Sequence, residues 1–428
     1  MNSLIVKKIL NYRNFLYLLN PITIFYAIPL FFIIYILSPF ILIRWYKLQS
    51  LRIGHLLEDT TLYICKKENN YNVPNKPYID LFYETKLKSN KFLSTTISKK
   101  IIVFPRLVVE PIDKLQKKLK NIFPKLRRFE AYRKRNKKDG YQFINHIKNN
   151  QIKFTNEEIK KGKFFLNSLG IHENDEIVCI NIHDGNYLKK IFPNINFDHH
   201  KMRNSNIENY EKGIMHLINL GYFVIRMGKH TNKKCKIKDH KFIDYSKLEN
   251  QSDFLDIFLI SKSKFYISNC TGLDHVAIHF QKPMIQIHPT IEPFDIENNF
   301  ILLLSKHHLN KNTKKLMTLS EIINANCFFY GKKQEWFDKN QIEIIENKSD
   351  EIKDIMDEMH LLITNNLNLT IEDKKLQKLF WEKYCDYGII KRINLDKNQK
   401  SLIEYYHNNT IHSMYSINFL KKNKFWLN

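Results

Sequence analysis

The residues best placed to do chemistry follow directly on short β-rich runs. Gly54-His55 follows Leu51 to Ile53, and Asn181-Ile-His183-Asp184-Gly185-Asn186-Tyr187 closes the run that starts at Glu176. Gly228 follows Tyr222 to Met227, and Asn269-Cys270-Thr271-Gly272-Leu273-Asp274-His275 follows Lys264 to Ser268. In doubly wound parallel sheets, ligands collect outside the carboxyl ends of strands, so these turns are candidate binding elements. The Asn269 to Gly272 turn opens a helix whose free N–H groups suit a phosphate, and Gly272 lets a ligand approach the backbone. Arg226 stands near the end of its strand as a charge-assisted clamp for that phosphate, or as an Arg packed against the next helix.

Arg203 and Arg226 stand out for a second reason. The chain has 57 Lys and only 11 Arg beside abundant Asn, Ile, Phe and Tyr, the profile of an AT-rich genome. Between Arg135 and Arg392 only these two remain. Where drift turns exposed Arg into Lys, a surviving Arg is either one whose planar fork is used for phosphate or carboxylate, or one kept by chance or in a structural ion pair. Asp253 and Asp256 read as first-turn helix residues favoured by the dipole, with ribose or sugar-hydroxyl contact as the functional alternative. The adjacent pairs His199-His200 and His307-His308 point to opposite faces of an extended strand, so no metal is assigned.

The elements that must position these groups come from a chain of 428 residues, too long for one ordinary core. Hydrophobic residues at 43% with 11 Gly and 12 Pro exclude a disordered or collagenous chain. Six scattered cysteines without a C-x-x-C pair speak for a reducing compartment. The formal charge of +25 is read chiefly as a Lys-rich surface, since no nucleic-acid-binding signature is present, and it is compatible with an anionic membrane. No G-x-x-x-x-G-K-S and no G-x-G-x-x-G occurs, which removes the usual warrants for ATP hydrolysis and hydride transfer.

From Ile22 to Ile43 there is no charged residue, a run long enough to cross a bilayer, with Trp45 and Tyr46 suited to the headgroup level. Pro21, Pro29 and Pro39 interrupt it, and Leu4 to Leu19 mixes basic residues with an apolar face, so a kinked, re-entrant or in-plane anchor competes with a span. The expected division is a membrane anchor over 1–47, an N-terminal acceptor-side α/β domain over 48–170, a C-terminal donor-binding α/β domain over 171–348 and a helical tail over 349–428. Strands are expected near Leu51 to Ile53, Tyr78 to Tyr83, Ile101 to Phe104, Glu176 to Ile182, Tyr222 to Met227, Lys241 to Asp244, Lys264 to Ser268 and Pro283 to Ile287, alternating with helices. Thr155 with Glu158 three residues on has capping-box spacing, and Gly170 ends that helix. The charge-rich stretch Lys125 to Lys138 reads as a solvated boundary, or as a basic face toward a membrane or an anionic ligand.

The blocks Arg203-Asn-Ser-Asn-Ile-Glu-Asn-Tyr210, Gly221-Tyr-Phe-Val-Ile-Arg-Met-Gly228, Ile243-Asp-Tyr245, Ser252-Asp-Phe-Leu-Asp256 and Lys264-Phe-Tyr-Ile267 through Gly272 closely resemble a family of bacterial glycosyltransferases from surface-polysaccharide loci. The resemblance extends to Arg52-Ile-Gly-His55, Glu351 to Met359 and Ser416 to Leu420, and so to most of the chain. It implies a GT-B-like α/β architecture of two Rossmann-type doubly wound domains, with the nucleotide-sugar donor held mainly by the second. The family's turn after the fourth strand reads His-Val-Arg-Asp-x-x-Tyr, whereas here Asn181 and His183 replace the His and Arg while Asp184 and Tyr187 match. A protonated His183 would be the remaining donor to a phosphate there.

The implied reaction is metal-independent glycosyl transfer from a nucleotide-activated sugar to a hydroxyl of a membrane-associated glycan or lipid-linked acceptor, at the cytoplasmic face of the inner membrane and without a cofactor. Arg203, Arg226, Gly228, Thr271, Gly272 and His183 would face the donor phosphates, stabilising the charge that develops on the leaving group. His55 or Asp184 would be the base; His55 alternatively caps a helix or fills a core, and Asp184 alternatively contacts a sugar hydroxyl or caps its turn. A nucleotide-sugar 2-epimerase and a non-catalytic glycan-assembly protein are the competing classes.

Overall fold

The structure is a computed structural model and describes residues 21–71, 73–132, 152–191, 193–194, 196–288, 301–325, 327, 334–384 and 413–428. The amphipathic stretch Leu4 to Leu19 and the basic residues 133–138 lie outside the described residues. The chain is mixed α/β and divides into two units, Met1–Ile152 and Lys153–Asn428.

In the first unit, a short π-helical turn, Thr23–Ala27, leads into α1 (Ile28–Leu37). Pro29 lies at the start of α1, where its missing N–H disturbs the regular i→i−4 ladder. Strand β1 (Leu42–Lys47) then pairs in parallel with β2 (Tyr78–Tyr83) through α2 (Ile53–Glu68). Single bridges Trp45 to Glu130 and Phe82 to Val103 extend this small sheet on both sides. Helices α3 (Lys91–Ser98) and α4 (Arg106–Leu119) follow, and a 3-10 turn, Pro124–Phe129, comes after them.

The strand expected at Leu51 to Ile53 is therefore wrong. Arg52 is the N-cap of α2, and the true strand is the end of the segment read as anchor. Trp45, expected among headgroups, is 1% exposed and stacks on Phe129 with ring centroids 5.6 Å apart. The reason is local. A run of apolar and aromatic residues looks the same whether lipid or a protein core covers it, and here Phe31, Ile34, Leu42, Trp45, Val109, Ile112 and Phe129 cover one another. Among the described residues no helix is long and apolar enough to cross a membrane. Cutting the chain after residue 47 would remove β1 itself, so a stable truncated body is not expected.

The second unit is built on a seven-stranded sheet: β3 (Ile177–Asn181), β4 (Phe223–Arg226), β5 (Phe242–Ile243), β6 (Phe265–Ser268), β7 (Met284–His288), β8 (Ile301–Ser305) and β12 (Ser413–Tyr415). Every pairing in it is parallel, in the order β12-β8-β7-β6-β3-β4-β5. Strands β3, β4, β6, β7 and β8 are buried at every residue, as parallel strands covered on both faces must be. The helices of this unit are α5 (Asn156–Ser168), α6 (Asn186–Ile191), α7 (Glu211–Asn219), α8 (Asp253–Lys262), α9 (Asp274–His279), α10 (Leu319–Asn324), α11 (Gln334–Lys339), α12 (Ser349–Ile363), α13 (Ile371–Lys383) and α14 (Ile417–Lys422) among the described residues. A small antiparallel sheet, β10 (Lys315–Leu316), β9 (His307–Asn310) and β11 (Ile342–Ile345), stands apart from it.

The capping box of α5 forms as expected, Thr155 Oγ1 accepting from Glu158 N while Glu158 accepts from Thr155 N. That helix belongs to the second unit and not to the domain expected over 48–170. The tail expected over 349–428 is likewise part of this body. Helix α12 packs on α7 so closely that a Cβ at Gly213 would lie 2.4 Å from Met356 Sδ, and β12 extends the main sheet.

Candidate functional site

The order of the main sheet decides where a ligand can enter. From β3 the chain steps outward to β4 and β5, then returns to the other side of β3 with β6 and continues through β7 and β8. The crevice of a doubly wound sheet opens at this reversal, beyond the carboxyl ends of β3 and β6. The turns Asn181 to Asp184 and Asn269 to Thr271 meet there.

Buried Asn269 ties the two turns and a third segment together. Its Oδ1 accepts from His183 N at 2.6 Å, and its Nδ2 donates to the carbonyl of Arg203 at 2.7 Å. Cys270, a non-glycine residue at φ +68°, follows in the left-handed region, a conformation costing about 1 kcal/mol that the surrounding contacts must hold. Its carbonyl accepts from Arg203 Nη1 at 2.7 Å, which brings that guanidinium across the end of β6. Lys306, immediately after β8 and 3% exposed, donates to the carbonyls of Met202 at 3.2 Å and Asn204 at 2.5 Å. Three successive carbonyls, 202 to 204, are thus captured by two buried side chains. The turn that carries Arg203 is pinned.

His183 Nδ1 meets Asn204 Oδ1 at 2.9 Å. Burial first, and the Arg203 charge second, push its pKa down to about 4. Burial and Arg203 push His288, at the end of β7, down to about 3. Both shifts favour the neutral imidazole when no anion is bound, and a neutral His183 offers a single N–H at most. Burial also lowers Lys306 to about 8.

Asp184 is fully engaged by backbone donors. Its Oδ1 accepts from Asn186 N at 3.0 Å and its Oδ2 from Asn232 N at 2.5 Å, the geometry of a turn cap that also fastens the segment after β4. The Thr271 hydroxyl accepts from Asn181 Nδ2 at 2.9 Å and donates to Asp274 Oδ1 at 2.7 Å, so it braces the turn instead of facing outward. Helix α9 begins at Asp274 and has six residues, too short for the expected phosphate-binding dipole, while Gly272 just before it is exposed.

Arg226 departs most from expectation. Its guanidinium is 2% exposed and Nη1 donates to Lys233 O at 2.7 Å and Asp244 Oδ2 at 3.1 Å. This is a structural ion pair on the β4 side of the sheet, because the loop after β4 folds back over the side chain. Gly228, at φ +111°, allows that loop to turn beside Asn181, whose Oδ1 would lie 3.1 Å from an added Cβ. Lys229 then bridges Asp253 at 2.7 Å and Asp256 at 3.0 Å. Burial raises the Asp256 carboxyl against the opposing effect of Lys229, and both carboxylates are tied to that ammonium. His55 lies in the first turn of α2, in the other unit, and is half-buried.

No protein-family model matches the chain, and no curated protein sequence matches it. Among solved structures it is similar to a glycosyl transferase family 9 protein from Veillonella parvula, with 12% identity over 62% of this chain and 85% of that one, at a TM-score of 0.40. It is also similar to E. coli ADP-heptose lps heptosyltransferase II, with 13% identity over 76% and 99% of the two chains at a TM-score of 0.39. E. coli heptosyltransferase WaaC with ADP-2-deoxy-2-fluoro heptose follows at 12% identity, 62% and 92% coverage and a TM-score of 0.32. Likenesses of this size carry no weight for the chemistry, which rests on this chain's own residues.

Lys306 was missed by sequence reasoning, and a signal for it existed. It follows Ile301-Leu-Leu-Leu-Ser305, an apolar run that qualifies as a buried strand, so the rule that singled out Asn181 and Asn269 applies to it equally. Asn269 was within the quoted turn but carried no role of its own. Among the described residues no group of three or more His, Cys, Asp or Glu could hold a metal ion.

Proposed function

We propose that this chain is a metal-independent glycosyltransferase of GT-B-like build. It transfers a sugar from a nucleotide-activated donor to a hydroxyl of a membrane-associated glycan or lipid-linked acceptor. The observation that carries the reading is the pair of cations at the β3/β6 crevice, Arg203 and Lys306, both hydrogen-bonded to main-chain carbonyls. Both cations stand at the strand ends where a diphosphate would enter, and each is fixed there by a main-chain carbonyl. The same cations would stabilise charge on the leaving phosphate as the glycosidic bond breaks. The sequence resemblance over Arg203 to Gly272 supports the same assignment, with Arg203 in the phosphate role and Arg226 released from it.

Asp184, with both oxygens on backbone N–H groups, favours a second reading in which the crevice binds a nucleotide-sugar and no transfer follows, as in a glycan-assembly protein. Incubating the purified protein with a panel of nucleotide-sugars and lipid-linked acceptors, and separating hydrolysis, isomerisation and transfer products, distinguishes the readings. Transfer supports the proposal, an equilibrating C2 epimer supports the epimerase alternative, and tight donor binding without product supports assembly. Calorimetry with nucleoside diphosphates tests the site directly: Arg203→Ala should weaken binding about 30-fold, the loss of one charge-assisted contact. No binding by the wild-type protein would overturn the reading.

A further inference from the structure

Helix α1 and the turn before it are apolar on every side, yet among the described residues only one side is buried. Thr23, Ala27, Phe31, Ile34 and Ser38 are buried, at the 3.6-residue spacing of a single stripe that runs the whole length of the segment. Phe31 packs against Trp45 and Phe129, and the Tyr26 hydroxyl donates to Val108 O at 3.1 Å. The opposite side carries Phe25 at 82% exposure, Phe32 at 60% and Phe40 at 77%, with Ile33 and Ile36 between them. A helix on a water-facing surface is normally polar on that side.

The border of this face is cationic. From residue 114 to residue 129 there are seven Lys and Arg and no Asp or Glu. Lys114, Lys117 and Lys120 pair with Glu110, Asp113 and Glu130. Lys125, Arg127 and Arg128 are exposed on the turn beside α1; Arg128 lies 4.9 Å over the Tyr35 ring and donates to Ser38 Oγ at 2.8 Å. Lys76 donates to the carbonyl of the same Ser38. The first unit therefore carries an apolar strip with a basic rim.

We infer that this strip is a bilayer-docking surface for anionic lipid, lying in the membrane plane with its outer side among the acyl chains and its inner side in the first unit's core. Because buried residues run from Thr23 to Ser38, the helix cannot swing out to span without emptying that core. An in-plane helix sinks about 5–10 Å into the headgroup boundary, and each basic residue near an anionic surface raises binding about fivefold. The inference stands independently of the chemistry proposed for the second unit.

Flotation of the full chain with phosphatidylcholine vesicles, with and without phosphatidylglycerol, is the test. Binding should require phosphatidylglycerol and fall with salt. The outer-side triple variant Phe32→Ser/Ile36→Ser/Phe40→Ser should lose about 100-fold in partitioning with its thermal melt unchanged, since all three are more than half exposed. Lys125→Ala/Arg127→Ala should lose about 20-fold at low salt and less at high salt. Dye attached at Ile33→Cys should be quenched by lipid labels near the headgroups. Quenching only from the bilayer midplane, undiminished binding of the triple variant, or a dimer that the triple variant dissociates while vesicles stay unbound would each overturn the assignment.

Discussion

Two places in the second unit hold buried cations, and they treat charge in opposite ways. On the β4 side, Arg226 meets Asp244, and Lys229 meets Asp253 and Asp256, so each positive group has a carboxylate against it. At the β3/β6 crevice, Arg203 and Lys306 rest on the carbonyls of Cys270, Met202 and Asn204. Glu346, whose charge acts on Lys306, accepts from Asn206 N and Asn209 Nδ2. A carboxylate partner closes the electrostatics locally, whereas a carbonyl partner positions the cation and leaves its field for an incoming anion.

Acid titration should show the largest effect. Burial and Arg203 hold His183 and His288 neutral in the folded state down to about 4 and about 3, against about 6.5 in the unfolded chain. Groups with depressed pKa contribute stability above pH 6.5 that is lost as pH falls toward 4, on the order of 3 kcal/mol from His288 alone. Urea melts from pH 7 to pH 4 should show that loss, and His288→Gln should flatten it. A saturating nucleoside diphosphate should raise the His183 pKa, read from its ring resonances; an unchanged value would place the anion elsewhere.

Arg226→Ala ranks next. It leaves Asp244 without its ion pair and should cost about 3 kcal/mol in denaturant melts. Nucleotide affinity of the fraction that remains folded should be unchanged. Should Arg226→Ala instead keep full stability and lose nucleotide, the two places would have to exchange roles. Lys306→Met keeps the volume but leaves the Met202 and Asn204 carbonyls without their donor, a cost of about 2 kcal/mol, and should weaken nucleotide binding about tenfold. Stability loss without affinity loss would reduce Lys306 to a brace.

The smallest effect is expected at Asp184. Asp184→Asn keeps one acceptor for the two backbone donors and should cost about 1 kcal/mol, with turnover within about tenfold of wild type. A fall of about 10²-fold at unchanged nucleotide affinity would restore Asp184 as the general base and show that it leaves its cap during the reaction.

How much of this was legible in the sequence follows from how each element is stabilised. The runs at Glu176, Tyr222, Lys241, Lys264 and Pro283 became β3 to β7 within a residue or two, because their β-branched and aromatic residues are bounded by turn formers. Strand β12, three residues long, forms only because β8 and Gln377 receive it, and nothing local marks it. Strand β1 was hidden in an apolar run whose covering core comes from residues some sixty or more positions away, such as Val109, Ile112 and Phe129. At the site, the turns could be found because strand ends are readable. The partners of Arg226 could not, since whether an Asp or a carbonyl faces a guanidinium is settled by how a loop folds back.

Strand β12 also governs when this protein can finish folding. Ser413 to Tyr415 pairs with Ile301 to Leu303, with Tyr415 Oη meeting Ser305 N at 2.9 Å, and Glu358 receives the N–H groups of Ile417 and Asn418. Until a ribosome has released that stretch, the outer side of Ile301-Leu-Leu-Leu has no neighbour and its row of backbone donors and acceptors is open to other nascent chains. A premature stop codon between Lys306 and Ser413 would therefore yield an aggregation-prone product even though the crevice residues are all encoded, and such truncations should collect in inclusion bodies.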